Sequence, residues 1–184
     1  MVGSVGRLFI GVDLRSDTRQ ALAALLTEHA QGRLPGRVVP PMNWHLTLRF
    51  LGEVGAVEFD RLLMELASAR LGAPFDIGFD GLGAFPRSER ATVLWVGINE
   101  GESQLQRLAG VVEEGVAGAG FPSEDRPFRA HLTLSRIRPP QDVSTLIAGT
   151  SPVRVRMLVD EVTLFRSHLE HGETRYEVLE SFGL

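Results

Sequence analysis

Two histidines, His45 and His131, each stand two residues ahead of a threonine, Thr47 and Thr133, inside the same tetrapeptide, His-Leu-Thr-Leu. In an extended strand side chains alternate faces. A histidine and the threonine at i+2 therefore point the same way, about 6.5–7 Å apart. The leucines turn to the core and leave the polar pair free to line a cleft. Imidazole titrates near neutral pH, so two of them can serve as general base and general acid on opposite sides of one phosphorus. Two threonine hydroxyls can hydrogen-bond the non-bridging oxygens between them. Strict alternation adds Asn43 and Arg49 to the first polar face, and Arg129 and Ser135 to the second. An arginine there would neutralise phosphate charge and fix its orientation. Arg136 falls on the leucine face by the same rule and reaches a ligand only if a bulge or strand end turns it.

One His-x-Thr is at home in any half-buried strand. Two carry weight here because they keep the same phase in a longer repeat. An offset of 86 residues carries Ile10-Gly11-Val12-Asp13 onto Val96-Gly97-Ile98-Asn99. It also carries Gln20 and Leu22 onto Gln106 and Leu108, and Pro41 onto Pro127. Phe9 falls on Trp95; either could stack a base beside the cleft, although packing beneath the sheet is the simpler role.

The elements that must hold these residues follow from periodicity. Strands are expected at 7–14 and 44–51, with a helix from Ser16 or Asp17 to about Ala30 and a Gly- and Pro-rich loop at 32–41. A second helix is expected at 57–71, then strands at 75–85 and 92–98 and a third helix at 103–119. The second His-x-Thr strand spans 128–137 and Pro139-Pro140 end it. A short helix at 142–147 and closing strands at 153–165 and 174–182, around a turn at 170–173, complete the chain. The two similar stretches, about 7–52 and 92–138, are joined by nothing that reads as a linker. Residues 1–184 are therefore expected to form one bilobal domain.

Composition narrows the chemistry. The 184 residues include no cysteine, which excludes disulfides, thiolate nucleophiles and Cys-ligated metal sites. All 19 basic residues are arginine, so a lysine–AMP intermediate, a Schiff base and a lysine-bearing phosphate loop are excluded too. His-x-His and His-x₃-His spacings are missing, and neither a metal nor a cofactor is expected. A net charge of −4 argues against a non-specific duplex binder but leaves room for a pocket holding one phosphate. No apolar run approaches the roughly 20 residues that cross a bilayer, and no secretory signal is visible. A cytoplasmic monomer is the default expectation. His29, His168 and His171 receive no role.

Asn43-Trp44-His45-Leu46-Thr47-Leu48-Arg49-Phe50-Leu51-Gly52 resembles the first signature of the 2H phosphoesterases, and Phe128-Arg129-Ala130-His131-Leu132-Thr133-Leu134-Ser135-Arg136 resembles the second. Within them the chain is most similar to the RNA 2′,3′-cyclic phosphodiesterases of the LigT/ThpR type, historically called 2′-5′ RNA ligases. Arg7-Leu8-Phe9-Ile10, Gly83-Ala84-Phe85-Pro86, Leu94-Trp95-Val96-Gly97 and Leu164-Phe165-Arg166-Ser167 with Gly172 and Tyr176 extend the similarity over nearly the whole chain. Ala130, where the family commonly has proline, is a departure that touches strand geometry more than chemistry.

The resemblance implies an α+β, bilobal fold in which two pseudo-symmetric antiparallel sheets face a central cleft with helices outside. It implies metal-independent hydrolysis of a terminal 2′,3′-cyclic phosphate, on RNA ends or nucleotides, to a 2′-phosphate, and the reverse 2′-5′ ligation. His45 and His131 match the catalytic positions, with His45 as acid and His131 as base or the reverse. Thr47 and Thr133 match the phosphate-binding positions. Arg49, Arg129, Arg136 and Phe9 are candidate substrate contacts. Two other functions fit the same motifs: a non-catalytic module for RNA ends, and a 2H enzyme for another cyclic phosphate or a 2′-5′ oligonucleotide. Hydrolysis of a cyclic nucleotide in EDTA discriminates. Wild-type turnover should persist, while His45→Ala and His131→Ala should each lose about 10²–10⁴-fold; equal rates in all three would leave only binding.

Overall fold

In the computed structural model, which describes residues 3–29, 34–170 and 173–184, nine strands form one antiparallel sheet. The chain runs β1 (Ser4–Asp13), α1 (Ser16–His29), β2 (Arg37–Val38), β3 (His45–Gly55), α2 (Ala56–Ser68) and β4 (Phe75–Phe85). It continues as β5 (Ala91–Glu100), α3 (Glu102–Gly118), β6 (His131–Gln141), α4 (Ser144–Gly149), β7 (Val155–Val159), β8 (Glu161–Glu170) and β9 (Glu173–Gly183). The sheet order is β7-β4-β5-β6-β3-β1-β8-β9, with β2 paired to β6.

The architecture is α+β, as expected. The two anticipated sheets are two wings of one sheet, joined between β3 and β6 by the single pair Leu46–Leu132. The offset of 86 carries β1 onto β5, α1 onto α3 and β3 onto β6. It continues past the visible sequence repeat, carrying α2 onto α4 and β4 onto β8. Yet β4 pairs with β5, and β8 pairs with β1. Each wing thus takes its third strand from the other half of the chain, so neither half closes a sheet by itself.

The helices pack on the leucine face. Helix α3 buries Leu105, Leu108, Ala109, Val112 and Val116 at spacings of three and four, which lays one stripe against the sheet. These residues join Leu8, Ile10, Val12, Leu46 and Leu132 in one continuous core. A fully buried leucine contributes about 1.5–3 kcal/mol by leaving water, so the leucines of both His-Leu-Thr-Leu copies anchor their strands firmly. No described helix is long and apolar enough to cross a membrane.

Two expectations need correction. Residues 153–165 do not form one strand. The chain breaks at Asp160, because β7 pairs with β4 on one wing while β8 pairs with β1 on the other. Pro139-Pro140 do not end β6, which continues to Gln141 opposite Ala91. Paired positions there jump from Arg136–Val93 to Gln141–Ala91, so the prolines sit in an irregular stretch where no ladder donor is required. Ala30, at the expected end of the first helix, residues 32–33 of the expected loop, and His171 in the expected turn lie outside the described residues.

Strands β1 and β3 approach closely at Gly11. A Cβ there would lie 2.7 Å from the Leu46 carbonyl oxygen and 3.6 Å from Cδ2 of His45. Gly11→Ala should therefore cost about 1–3 kcal/mol as overpacking, seen as a melting temperature lowered by about 2–4 °C per kcal/mol. An unchanged melting temperature would contradict this contact.

Candidate active site

The Leu46–Leu132 pair sets the geometry. Continuing its antiparallel register puts His45 across from Thr133 and Thr47 across from His131, so the histidines sit on a diagonal. All four side chains line one cavity of about 170 Å³. Phe85 from β4 and Tyr176 from β9 line it too, although five strands separate β4 from β9 in the sheet. The sheet must curl to bring them together.

Each imidazole is held by the backbone two residues upstream. His45 Nδ1 donates to the Asn43 carbonyl at 2.9 Å, and His131 Nδ1 donates to the Arg129 carbonyl at 2.7 Å. A carbonyl only accepts, so the neutral rings carry hydrogen on Nδ1 and keep an Nε2 lone pair. The Thr47 hydroxyl lies 3.0 Å from His45 Nε2. Asn43 is itself fixed, its side-chain amide donating to the Thr174 carbonyl of β9 at 2.7 Å.

Aromatic rings wall both histidines. Phe9 lies 4.6 Å from the His45 ring and Tyr176 meets it edge-on at 5.0 Å. Phe85 meets His131 edge-on at 5.0 Å, and Trp95, the counterpart of Phe9, lies 6.3 Å away. Trp95 in turn covers Gly83, where a Cβ would fall 2.1 Å from its ring. Phe9 is 2% exposed and does not line the cavity. Its place is beneath His45, so it supports the catalytic candidate instead of stacking a base.

Bulges decide which arginines face the cavity. On β3, Ile10 pairs Arg49 and Gly11 pairs Thr47, which leaves Leu48 as an extra residue. On β6, Leu94 pairs Ser135 and Trp95 pairs Thr133, which leaves Leu134 extra. The bulges are equivalent under the 86-residue offset, and each reverses the alternation beyond it. Ser135 is therefore fully buried and Arg136 lines the cavity. Its counterpart is Phe50, another lining residue.

Arg49 is turned to the helix side. Its Nε donates to Glu113 Oε2 of α3 at 2.7 Å, and it also bonds the Phe50 and Pro122 carbonyls. The expected contact of Arg49 with substrate is therefore corrected: it ties β3 to α3 and to the segment leading into β6. Arg129 is exposed and outside the cavity lining; what it supplies is its carbonyl. Alternation missed Arg136, Phe50, Phe85 and Tyr176 because bulges and sheet curl have no counterpart in a period-two pattern. Tyr176, the only tyrosine, was visible solely through the resemblance.

Burial pushes the His45 pKa down from 6.5 to about 4, with the charges of Arg136 and His131 adding to it and the Asn43 hydrogen bond opposing it. Burial lowers His131 as well, again with Arg136 adding and the Arg129 carbonyl opposing. Burial raises Tyr176, opposed by Arg136 and Arg37. Among the described residues Arg136 is the one arginine lining the cavity, and its charge acts on both histidines and on Tyr176. Among the described residues no group of three His, Cys, Asp or Glu converges as a cation site.

Two His-x-Thr strands paired at one leucine, on a duplicated antiparallel framework, bring two imidazoles and two threonine hydroxyls to one cavity. The profile described as LigT like Phosphoesterase matches the chain twice, over residues 12–95 and 96–176, and the chain belongs to this family. An RNA 2′,3′-cyclic phosphodiesterase of Escherichia coli (strain K12) is 33% identical over 179 residues, 97% of this chain and 96% of the relative. One of Aquifex aeolicus is 32% identical, covering 98% of both. The crystal structure of Escherichia coli LigT complexed with 3′-AMP superposes with a TM-score of 0.77 at 30% identity, covering 97% of this chain and 98% of that one. A crystal structure from Thermus thermophilus gives 0.77 at 32% identity, covering 97% of each.

Titration of the imidazoles by NMR should find His45 near 4 and His131 below 6.5, and Arg136→Gln should raise both. The unfolded chain binds the His45 proton first, so folding stability falls as pH drops from 6.5 toward 4. Urea unfolding should show a loss on the order of 3 kcal/mol over that window, flattened in His45→Asn. A stability that rose toward pH 4 would contradict the burial of a neutral ring.

Proposed function

We propose that this protein hydrolyses the 2′,3′-cyclic phosphate at an RNA or nucleotide end to a 2′-phosphate, without a metal ion. The observation that carries this is the diagonal pair of imidazoles, each with its Nδ1 tethered, lining one cavity with two threonine hydroxyls and Arg136. The relatives named RNA 2′,3′-cyclic phosphodiesterase support the substrate class, as do LigT structures complexed with 3′-AMP, ATP and phosphate.

In this reaction the cyclic phosphate sits between the two histidines, its non-bridging oxygens on Thr47, Thr133 and the Arg136 guanidinium. The imidazole on the water side takes a proton as the water oxygen bonds phosphorus. The imidazole on the opposite side gives its proton to O3′ as the P–O3′ bond breaks. One ring must be neutral and the other charged, and each ends in the state the other began in. A proton returned through solvent resets the pair. The same site accepts a 5′-hydroxyl in place of water, which yields a 2′-5′ linkage; the abundance of water favours hydrolysis.

The anionic substrate offsets the charge of Arg136, so binding raises both imidazole pKa values. The profile of kcat/KM reports the free enzyme and should be a bell with both limbs below pH 6.5, the lower near 4. The kcat profile reports the complex and should be displaced to higher pH. Flat profiles across the histidine range, or a kcat bell displaced to lower pH, would contradict paired acid–base action.

A further inference from the structure

Both imidazoles hang from a carbonyl two residues upstream, but the two tethers are secured differently. Ahead of His45, Asn43 supplies the accepting carbonyl, and its side-chain amide donates to the Thr174 carbonyl of β9. Trp44 follows, 4% exposed, with its indole Nε1 donating to the Val39 carbonyl at 2.9 Å. The Val39 amide in turn donates to the Leu134 carbonyl of β6 at 2.8 Å. Strands from the second half of the chain thus brace the first tether. The offset of 86 carries Asn43 onto Arg129 and Trp44 onto Ala130. Arg129 is exposed, and alanine has no indole to donate. Residues 119–130 form neither helix nor strand, and 122–127 are all exposed. Another group must keep the Arg129 carbonyl on His131.

The amides of Ala119, Gly120 and Phe121 bond back to α3 and settle the start of this segment. Arg49 and Glu113 take the groups that come next. The Arg49 guanidinium donates to the Pro122 carbonyl through Nη2 and to Glu113 Oε2 through Nε. Glu113 Oε1 accepts the Glu124 amide at 2.9 Å. Nη1 of Arg49 donates to the Phe50 carbonyl at 2.8 Å, which fixes the guanidinium on β3. The Arg49 side chain is 11% exposed, so solvent and salt screen this network weakly. Phe128 and Ala130 then pack on the core just before His131. We infer that Arg49 is a positioning residue for His131: through Glu113 and residues 122–124 it holds the Arg129 carbonyl against the imidazole Nδ1. Each half of the chain therefore braces the histidine of the other. An imidazole kept on that carbonyl carries its neutral-state hydrogen on Nδ1 and aims Nε2 into the cavity. Released, it gains the Nε2–H tautomer and loses its aim. The consequence for turnover rests on the proposed phosphodiester hydrolysis; the tether itself is observable without turnover.

The test follows imidazole ¹⁵N resonances and turnover of adenosine 2′,3′-cyclic phosphate in wild type, Arg49→Gln, Glu113→Gln and Arg156→Gln, the last of which breaks an exposed ion pair with Glu100. In Arg49→Gln the His131 signals should move toward the Nε2–H tautomer while those of His45 stay in place. Its kcat should fall ~10–100-fold, as a misplaced group costs, with KM within about twofold. Glu113→Gln should move His131 the same way by less, and Arg156→Gln should leave it unchanged. Trp44 has φ −73°, a value proline imposes. Ala130→Pro should therefore stiffen the equivalent place in the second tether and restore most of the kcat lost in Arg49→Gln. Failure of that rescue would place the damage in β3 and overturn the assignment. So would an unmoved His131 tautomer, equal movement of both rings, or a loss confined to KM. If even the wild type does not turn over, the proposed reaction fails, and the His131 tautomer alone decides the positioning role. If Arg49→Gln does not fold, Glu113→Gln decides it by the same signal.

Discussion

One ladder pair, Leu46 against Leu132, joins the two wings of the sheet at the point where the catalytic candidates lie. Both leucines are fully buried, and they occupy the same position in the two repeats. Pairing equivalent residues of antiparallel strands places the pseudo-twofold axis between them. A histidine and a threonine flank each leucine on the opposite face, so the axis generates a cavity with an imidazole on either side. The apolar side of the pair fixes a position, and the polar side inherits its geometry. A slip of one residue would break that inheritance, because every side chain would change faces.

The duplication supplies symmetry, but the reaction proposed for the site is not symmetric, and the differences between equivalent positions matter. Phe50 and Arg136 follow equivalent bulges into one cavity, one apolar and one charged. Arg49 and Ser135 follow the same bulges to the other face, one ion-paired to Glu113 and the other buried. Among the described residues the cavity therefore has a single cationic side, which would give an anion held there a preferred orientation. The same charge lowers both imidazole pKa values in the empty site. An anion entering there would raise both imidazole pKa values, because it cancels the charge that helps hold the rings neutral. Exchange of β4 and β8 between wings adds to this coupling: Phe85 beside His131 comes from the first half of the chain, and Tyr176 beside His45 from the second.

The helices, most strands and the His-x-Thr faces were legible because they rest on local periodicity. Leu46, Thr47, Leu132 and Thr133 lie where alternation puts them. Legibility ended at Leu48 and Leu134, where one extra residue in each strand reverses the pattern; nothing in the sequence marks either bulge. Arg49 was misplaced for that reason, and Arg136 was placed only conditionally. The break at Asp160 was invisible since an apolar run gives no sign that its two ends serve different sheet edges. Phe9 had a legible location but not a legible partner: its ring supports His45, a relation fixed by packing between strands.

Paired acid–base action requires both imidazoles to meet one phosphate. Titration of imidazole-¹⁵N-labelled protein with inorganic phosphate at constant pH tests this most directly. The Nε2 resonances of His45 and His131 should move together along one saturation curve, and the movement should be lost in Arg136→Gln. A shift confined to one ring, or two curves with different midpoints, would show that the histidines serve separate pockets.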